Sequence, residues 1–388
     1  MSHALRRAML PGLLLAAPLT AAGAQSITGN TEWRVGVVYE AWHFNNGTLE
    51  NLDRATQTSI PIIGVARFGA TTVDLYTSYA QSTARYRDGT ETHLDGLSDV
   101  KLRGAYRLPG EHWMLTAGVT LPTGKTRLSE SELDAVRVFG APSLRFQTPS
   151  LGNGFGGLGG VVYTTHLGSW SWGFAASYEL RGSFEPVEAA SLGFATLDLK
   201  PSNALRFSIG TDGIVGQTAM SLNVSSTMYG TDELNRSLTG VGTATDRINL
   251  GPAVSGEWRW RVPAPGFREI TLFAYDRYRS SYTRGGDRRT VAGTSGNEFE
   301  GGANGTITIS PTLGVVTALS GRYHSGLAVD NLVSTSAIVT GGGRLGLAYN
   351  AVGLIFQPSV GGELGRMDTG GRTLSVNKLL LSMSVGAR

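Results

Sequence analysis

The stretch Gly96–Gly124, GLSDVKLRGAYRLPGEHWMLTAGVTLPTG, decides the fold. From Val100 its side chains alternate. Val100, Leu102, Gly104, Tyr106 and Leu108 fall on one face, and Lys101, Arg103, Ala105 and Arg107 on the other. A period of two is the mark of a strand, because successive Cβ atoms point to opposite faces. Pro109-Gly110-Glu111 has the chemistry of a tight turn. A return strand then runs from Trp113 to Leu121 and stops at Pro122 and Gly124. The rest of the chain repeats this hairpin.

A soluble sheet can also carry one apolar and one polar face. The whole chain separates the two cases. Trp33, Val35, Val37, Tyr39 and Ala41 oppose Arg34, Gly36, Val38 and Glu40. Trp170, Trp172, Phe174, Ala176, Tyr178 and Leu180 oppose Ser171, Gly173, Ala175, Ser177, Glu179 and Arg181. Trp258, Trp260 and Val262 oppose Glu257, Arg259 and Arg261. All seven Trp (33, 42, 113, 170, 172, 258, 260) fall on expected strands, mostly toward an end, as interfacial aromatic belts require. Short turns at Gly69, Pro109-Gly110, Leu167-Gly168, Pro201-Ser202, Pro263-Ala264-Pro265 and Ser310-Pro311 alternate with polar stretches near 45–56, 87–95, 123–152, 231–245, 284–296 and 327–337. A membrane barrel sorts its connections in this way; a sandwich has no reason to.

The reading is therefore all-β: a transmembrane antiparallel up-and-down β-barrel of about 16 strands, with 14–18 as the range. Strands are expected near 192–199, 205–215 and 247–262, among others. The segment 217–245 reads either as one long strand plus a loop or as an extra hairpin. Between 268 and 282 the alternation assigns no faces.

Composition agrees. Of 388 residues only 16% are charged, against roughly a quarter in soluble domains. The absence of Cys rules out a disulfide framework and any Cys-based metal site. Arg6 and Arg7, an apolar run from Ala8 to Leu19 and then Ala22-Gly23-Ala24 read as a signal peptide over 1–24, with the barrel as a single domain over 25–388. Removing it takes two arginines and no acids, so the net charge falls from +3 to +1, which does not suggest nucleic acid as a partner. Little chain remains between the cleavage site and the first strand, so no N-terminal plug domain is expected. The chain ends Ser384-Val385-Gly386-Ala387-Arg388, without the terminal aromatic that barrels commonly present to the assembly machinery.

Gly-Leu-Ser-Asp (96–99), a strand, a turn, a strand and then Leu-Pro-Thr-Gly-Lys (121–125) resembles the outer-membrane proteins named after the meta pathway of phenol degradation, themselves similar to long-chain fatty-acid transporter (FadL-like) barrels. Phe146–Gly154 and Ser-Tyr-Glu-Leu-Arg-Gly (177–182) are consistent with it, and the detailed likeness covers about Gly96 to Leu199. The resemblance implies a barrel in the bacterial outer membrane that passes small hydrophobic or aromatic molecules. It implies no catalytic or ligand residue.

The candidate site is the lumen. Arg34, Asp74, Lys101, Arg103, Arg107, Glu179, Arg181, Glu257, Arg259 and Arg261 fall on the polar faces. A net basic lumen would favour carboxylates, while opposite charges could instead cross-pair and rigidify the barrel. The longest loop, 123–152, carries Glu130, Glu132 and Asp134 in what reads as one helical turn; loops of this length are often functional. Of the histidines, His43, His93 and His324 lie toward the loops, but no partner and no G-x-S-x-G elbow accompanies them, so no enzyme is expected. No His or carboxylate spacing suggests a metal, and no cofactor is expected. The expected partners are outer-membrane lipid, the barrel assembly machinery and a small solute, with a monomer favoured. The alternatives are a non-transporting structural or surface barrel and, further off, a general porin or an outer-membrane hydrolase.

Overall fold

The computed structural model describes residues 31–45, 51–110, 112–146, 152–189, 194–238, 242–285, 289–290, 294–326, 335–351, 353–369 and 372–387. The signal peptide expected over 1–24 lies outside them, as does Arg388. No helix among the described residues is long and apolar enough to cross a membrane.

The first half of the chain gives β1 (Thr31–Phe44), β2 (Leu52–Phe68), β3 (Thr71–Tyr86), β4 (Glu91–Leu97), β5 (Val100–Arg107), β6 (Trp113–Leu121), helix α1 (Glu130–Phe139), β7 (Gly156–Leu167), β8 (Trp170–Arg181), β9 (Thr196–Lys200), β10 (Ala204–Val215) and β11 (Thr218–Tyr229). The second half gives β12 (Thr231–Leu238), β13 (Gly242–Asn249), β14 (Ala253–Val262), β15 (Glu269–Arg279), β16 (Thr283–Arg284), β17 (Arg289–Thr290), β18 (Gly296–Ser310), β19 (Leu313–Gly326), β20 (Thr335–Ala351), β21 (Leu354–Phe356), β22 (Ser359–Thr369) and β23 (Arg372–Ala387).

Neighbouring strands pair antiparallel around a closed sheet. β1 pairs with β23 from Trp33↔Ala387 to Phe44↔Val376, and this seam closes the barrel. β4 and β5 occupy one position, both paired with β3 and separated only by Ser98-Asp99. β21 and β22 likewise share one position beside β23. The circuit therefore has sixteen positions, as expected. Closure removes every sheet edge within the wall, the condition for a sheet to cross a bilayer.

The outer surface is the apolar one. Leu115, Phe174, Leu222, Leu319, Leu345, Leu364 and Leu379 are all exposed on it. The same parity turns Glu40, Arg322 and Lys378 inward, where they are buried. This inside-out distribution suits lipid outside and polar groups within. Outward Trp258 and Trp260 pack at a tilt, with ring centroids 6.1 Å apart. Trp42 breaks the expectation that all seven Trp serve the belts. It shares the parity of Glu40, points inward and is fully buried.

The connections sort by end. At the turn end lie residues 69–70, 108–110 with 112, 168–169, 216–217, 263–268, 311–312 and 353. Gly69 (φ 58°) and Gly168 (φ 62°) adopt the left-handed backbone that such turns demand. Pro201-Ser202, read from sequence as a turn of this end, lies instead at the loop end, between β9 and β10.

Three further expectations change. The strand expected at 192–199 is not in the barrel. Its described part, β9, joins β12, β13, β16 and β17 in a separate five-stranded sheet at the loop end. The segment 217–245 resolves into barrel strand β11 followed by the β12–β13 hairpin. The strand expected over 247–262 is two, with Arg247–Asn249 in the side sheet and Ala253–Val262 in the wall. The strand count stands while its membership shifts: β11 takes the place read for 192–199.

Candidate functional site: a lumen occupied by an inward segment

Of the stretch between β6 and β7, the described residues 122–146 fold into the barrel. Ser129 caps α1: its hydroxyl accepts from the Glu132 N–H (3.4 Å) and the Glu132 carboxylate accepts from the Ser129 N–H (3.0 Å). This reciprocal cap satisfies two otherwise orphaned donors. Glu130 and Glu132 in the first turn and Arg137 in the last complement the helix dipole. The expected single turn is thus a helix of 10 residues. The half-buried Glu132 carboxyl is nevertheless held below the ordinary glutamate range: burial works against its charge, but the Lys125 ammonium and the Ser129 groups outweigh it.

The helix buries Ala135, Val138 and Phe139. With Leu128 and Leu144 they pack on Trp42 and Phe44 of β1, Leu52 and Ala55 of β2, Leu94 of β4, Ile338 of β20 and Met367 of β22. The Trp42 indole N–H donates to the Leu144 carbonyl at 3.0 Å, inside this cluster. Fully burying an aliphatic or aromatic side chain is worth ~1.5–3 kcal/mol, so this contact alone holds the segment firmly. Arg145 adds an ionic tether to β18, reaching Glu298 at 2.9 Å and Glu300 at 2.6 Å. Burial disfavours its charge, yet the two carboxylates keep Arg145 above the usual arginine range.

Both ends of the segment meet at one junction. Asp99, almost fully buried at the β4/β5 break, accepts the Gly124 N–H at 2.9 Å and the Asn153 N–H at 2.6 Å. Thr123 donates its hydroxyl to the Ser98 carbonyl (3.1 Å) and accepts the Val100 N–H (2.9 Å). The Ser98 hydroxyl accepts the Ser78 N–H at 3.0 Å. Gly124 and Gly152 touch backbone to backbone: a Cβ on Gly124 would stand 2.6 Å from the Gly152 Cα. The strings Gly-Leu-Ser-Asp and Leu-Pro-Thr-Gly-Lys are thus two sides of one clamp, closed by Gly152-Asn153.

Beneath the apolar cluster the interior is ionic. Lys378 pairs with Glu40 at 2.7 Å, and Arg322 lies 3.5 Å from Glu363. Both cations lie over the Trp42 ring, Lys378 at 5.4 Å and Arg322 at 5.6 Å from its centroid. Gly342 makes room for this group; a Cβ there would stand 2.9 Å from the Glu363 Cγ. His324 is buried and stands opposite Glu298 in register, whereas His93 is exposed beside Thr83 (3.1 Å). No group of three or more His, Cys, Asp or Glu among the described residues is arranged to hold a metal.

The residues chosen from sequence are distributed as follows. Glu179 and Arg181 pair at 3.0 Å, and Glu257 pairs with Arg259. Asp74 stands opposite Arg103 in register, and Lys101 opposite Tyr76. Arg107 and Arg261 lie exposed near the turn end, and Arg34 is half-buried on the face of Glu40. The structure does not bring the ten into one cluster. The members that sequence reading missed are Arg145, Glu298, Glu300, Arg322, Glu363 and Lys378, joined across large sequence separations, together with Arg206, Arg277 and Arg279. A cavity of about 660 Å³ lies against the uncovered wall. Thr164, Ser171, Ser208, Asp212, Asn223 and Arg259 are among the side chains that line it.

No protein-family model matches the chain, and no curated protein does. Among solved structures it is similar to a bacterial polysaccharide outer membrane secretin (8% identity, 92% of this chain and 98% of that chain, TM-score 0.45). It is also similar to the CymD monoaromatic hydrocarbon channel (8%, 93% and 89%, TM-score 0.42) and to OprB of Pseudomonas putida (10%, 92% and 93%, TM-score 0.46).

Proposed function

We propose that this chain is a bacterial outer-membrane channel for the passive uptake of small molecules, hydrophobic or aromatic ones in particular. One observation carries the reading. The inward segment packs on β1–β4 and β18–β23 and leaves the wall from β7 to β14 facing a cavity. A merely structural barrel has no need of a clamped internal segment that packs on one side of its bore. A cavity of this size suits a solute of one or two rings. The aromatic class comes from the family resemblance of the clamp strings, and the outer-membrane location from the apolar exterior of a closed barrel.

The packed cluster around Trp42 favours a second reading, a closed structural barrel. Single-channel recording decides between them. The folded barrel, verified by its heat-dependent gel shift, is placed in planar bilayers. Steady conductance supports the channel. A folded barrel that passes no current in many insertions would sink that reading.

A further inference from the structure

We propose that the lumen selects anions and that its solutes are small carboxylates. This rests on the channel reading above and names the solute chemistry of that same path. The inner faces of β5, β10 and β15 carry five cations with no carboxylate at ion-pair distance, although Asp74 stands opposite Arg103 in register. Lys101 and Arg103 project from β5, Arg206 from β10, and Arg277 and Arg279 from β15. Among the described residues no carboxylate lies within 4.0 Å of any of the five.

Each has a reason to remain uncompensated. Glu298, opposite Arg277 in register, is turned to Arg145. Arg277 and Arg279 stand two residues apart on one face and repel each other. The polar partner of Arg206 is the Thr227 hydroxyl, at 3.4 Å. The stem of Arg103 lies along Gly118 of β6, where a Cβ would stand 3.3 Å from its Cγ. On β8, Glu179 is already paired with Arg181, and it also lies in the field of Arg206 and Lys101. One carboxylate therefore serves three cations. Asp74 and Asp212 are the acids of this region with no cation at ion-pair distance, and the basic groups outnumber them.

Guanidinium groups without a carboxylate partner concentrate anions, and they bind carboxylates through paired N–H donors. An aqueous path past a wall of one sign passes that counter-ion preferentially. Carboxylates with an apolar body, aromatic acids among them, satisfy both the cations and the inward Phe273 and Tyr275 of β15.

The test is the reversal potential of the intact barrel across a KCl gradient, followed by benzoate titration. The expected sign is that of chloride preference. Arg206→Gln with Arg279→Gln should at least halve the anion-to-cation permeability ratio without altering the heat-dependent gel shift. Benzoate added on one side should reduce the chloride current, and less so in the double variant. Conductance with cation preference, or a ratio unchanged in the double variant, would overturn the anion wall while leaving the channel standing. Anion preference with no effect of benzoate would overturn the carboxylate assignment. The absence of any conductance would overturn both.

Discussion

Replacing Asp99 by Ala should loosen the inward segment without unfolding the barrel. The carboxylate holds two backbone donors, Gly124 N–H at 2.9 Å and Asn153 N–H at 2.6 Å, in an almost fully buried position. Hydrogen bonds to a charged group are worth ~1.5–3 kcal/mol each, and the orphaned donors add a desolvation cost unless water reaches them. Allowing for water entering beside the β4/β5 break, the net loss should be about 3 kcal/mol. The apolar cluster and the Arg145 tether remain, so the segment stays inside on average but opens more often. A loss of about 3 kcal/mol raises the open fraction by roughly 100-fold, since each 1.4 kcal/mol is a factor of ten. Hydrogen exchange reads this directly. Amides of α1 should lose about two decades of protection, with those of β14 and β15 unchanged. Asp99→Asn keeps one acceptor and should fall between. If α1 exchanges as slowly in Asp99→Ala as in the unaltered chain, the clamp does not hold the segment and the reasoning fails.

Gly152→Ala attacks the same junction sterically. Its Cβ would stand 2.7 Å from the Gly124 carbonyl oxygen, so the two backbones must part, and α1 protection should fall as in Asp99→Ala. Trp42→Phe removes the donor to Leu144 and the larger face under Lys378 and Arg322. A loss of ~1–3 kcal/mol is expected, read as a lower urea midpoint for the release of the segment to protease. Glu132 supplies a pH test. Its folded carboxyl is held below its unfolded range, so its contribution to the helix cap is full at neutral pH and is lost as pH falls through the depressed value. Open-channel current noise should rise in acid, and Glu132→Gln should show that noise at pH 7; identical noise in the variant at pH 7 would remove Glu132 from the account.

The parts of the fold legible in the sequence are those where lipid acts on one face of a strand. The exterior must be apolar along the whole span, so period two persists through Val100–Arg107, Trp113–Leu121 and Trp170–Arg181, and these strands fall within a residue of their expected limits. Beyond the bilayer both faces meet water or packed protein, and the pattern lapses. There residues 192–199 read as a wall strand although they belong to the side sheet; within the wall, β15 alone assigns no faces. Its inward side mixes Phe273 and Tyr275 with Arg277 and Arg279, so polarity does not mark it. Trp42 was legible after all, since it shares even parity with Arg34, Val38 and Glu40 on β1. Parity assigned it to the interior while aromatic-belt statistics assigned it to the surface, and parity was the stronger argument because it follows from backbone geometry.

Charge pairing divides along the same line. Glu179 with Arg181 and Glu257 with Arg259 are two residues apart on one face, so the sequence displays them as pairs. Glu40 with Lys378 and Arg145 with Glu298 exist because closure and the inward fold bring distant segments together. This changes where selectivity should be sought. Arg259, an evident lumen cation by sequence, has its charge answered by Glu257, whereas Arg206 and Arg279 have no such answer. A charge reversal at Arg259 would also leave Glu257 beside a second acid, and its effect would report that repulsion as much as the pore. The uncompensated pair is therefore the cleaner probe, and the inward segment makes it so: by engaging Glu298, Arg145 removes the acid that would otherwise have neutralised the arginines of β15.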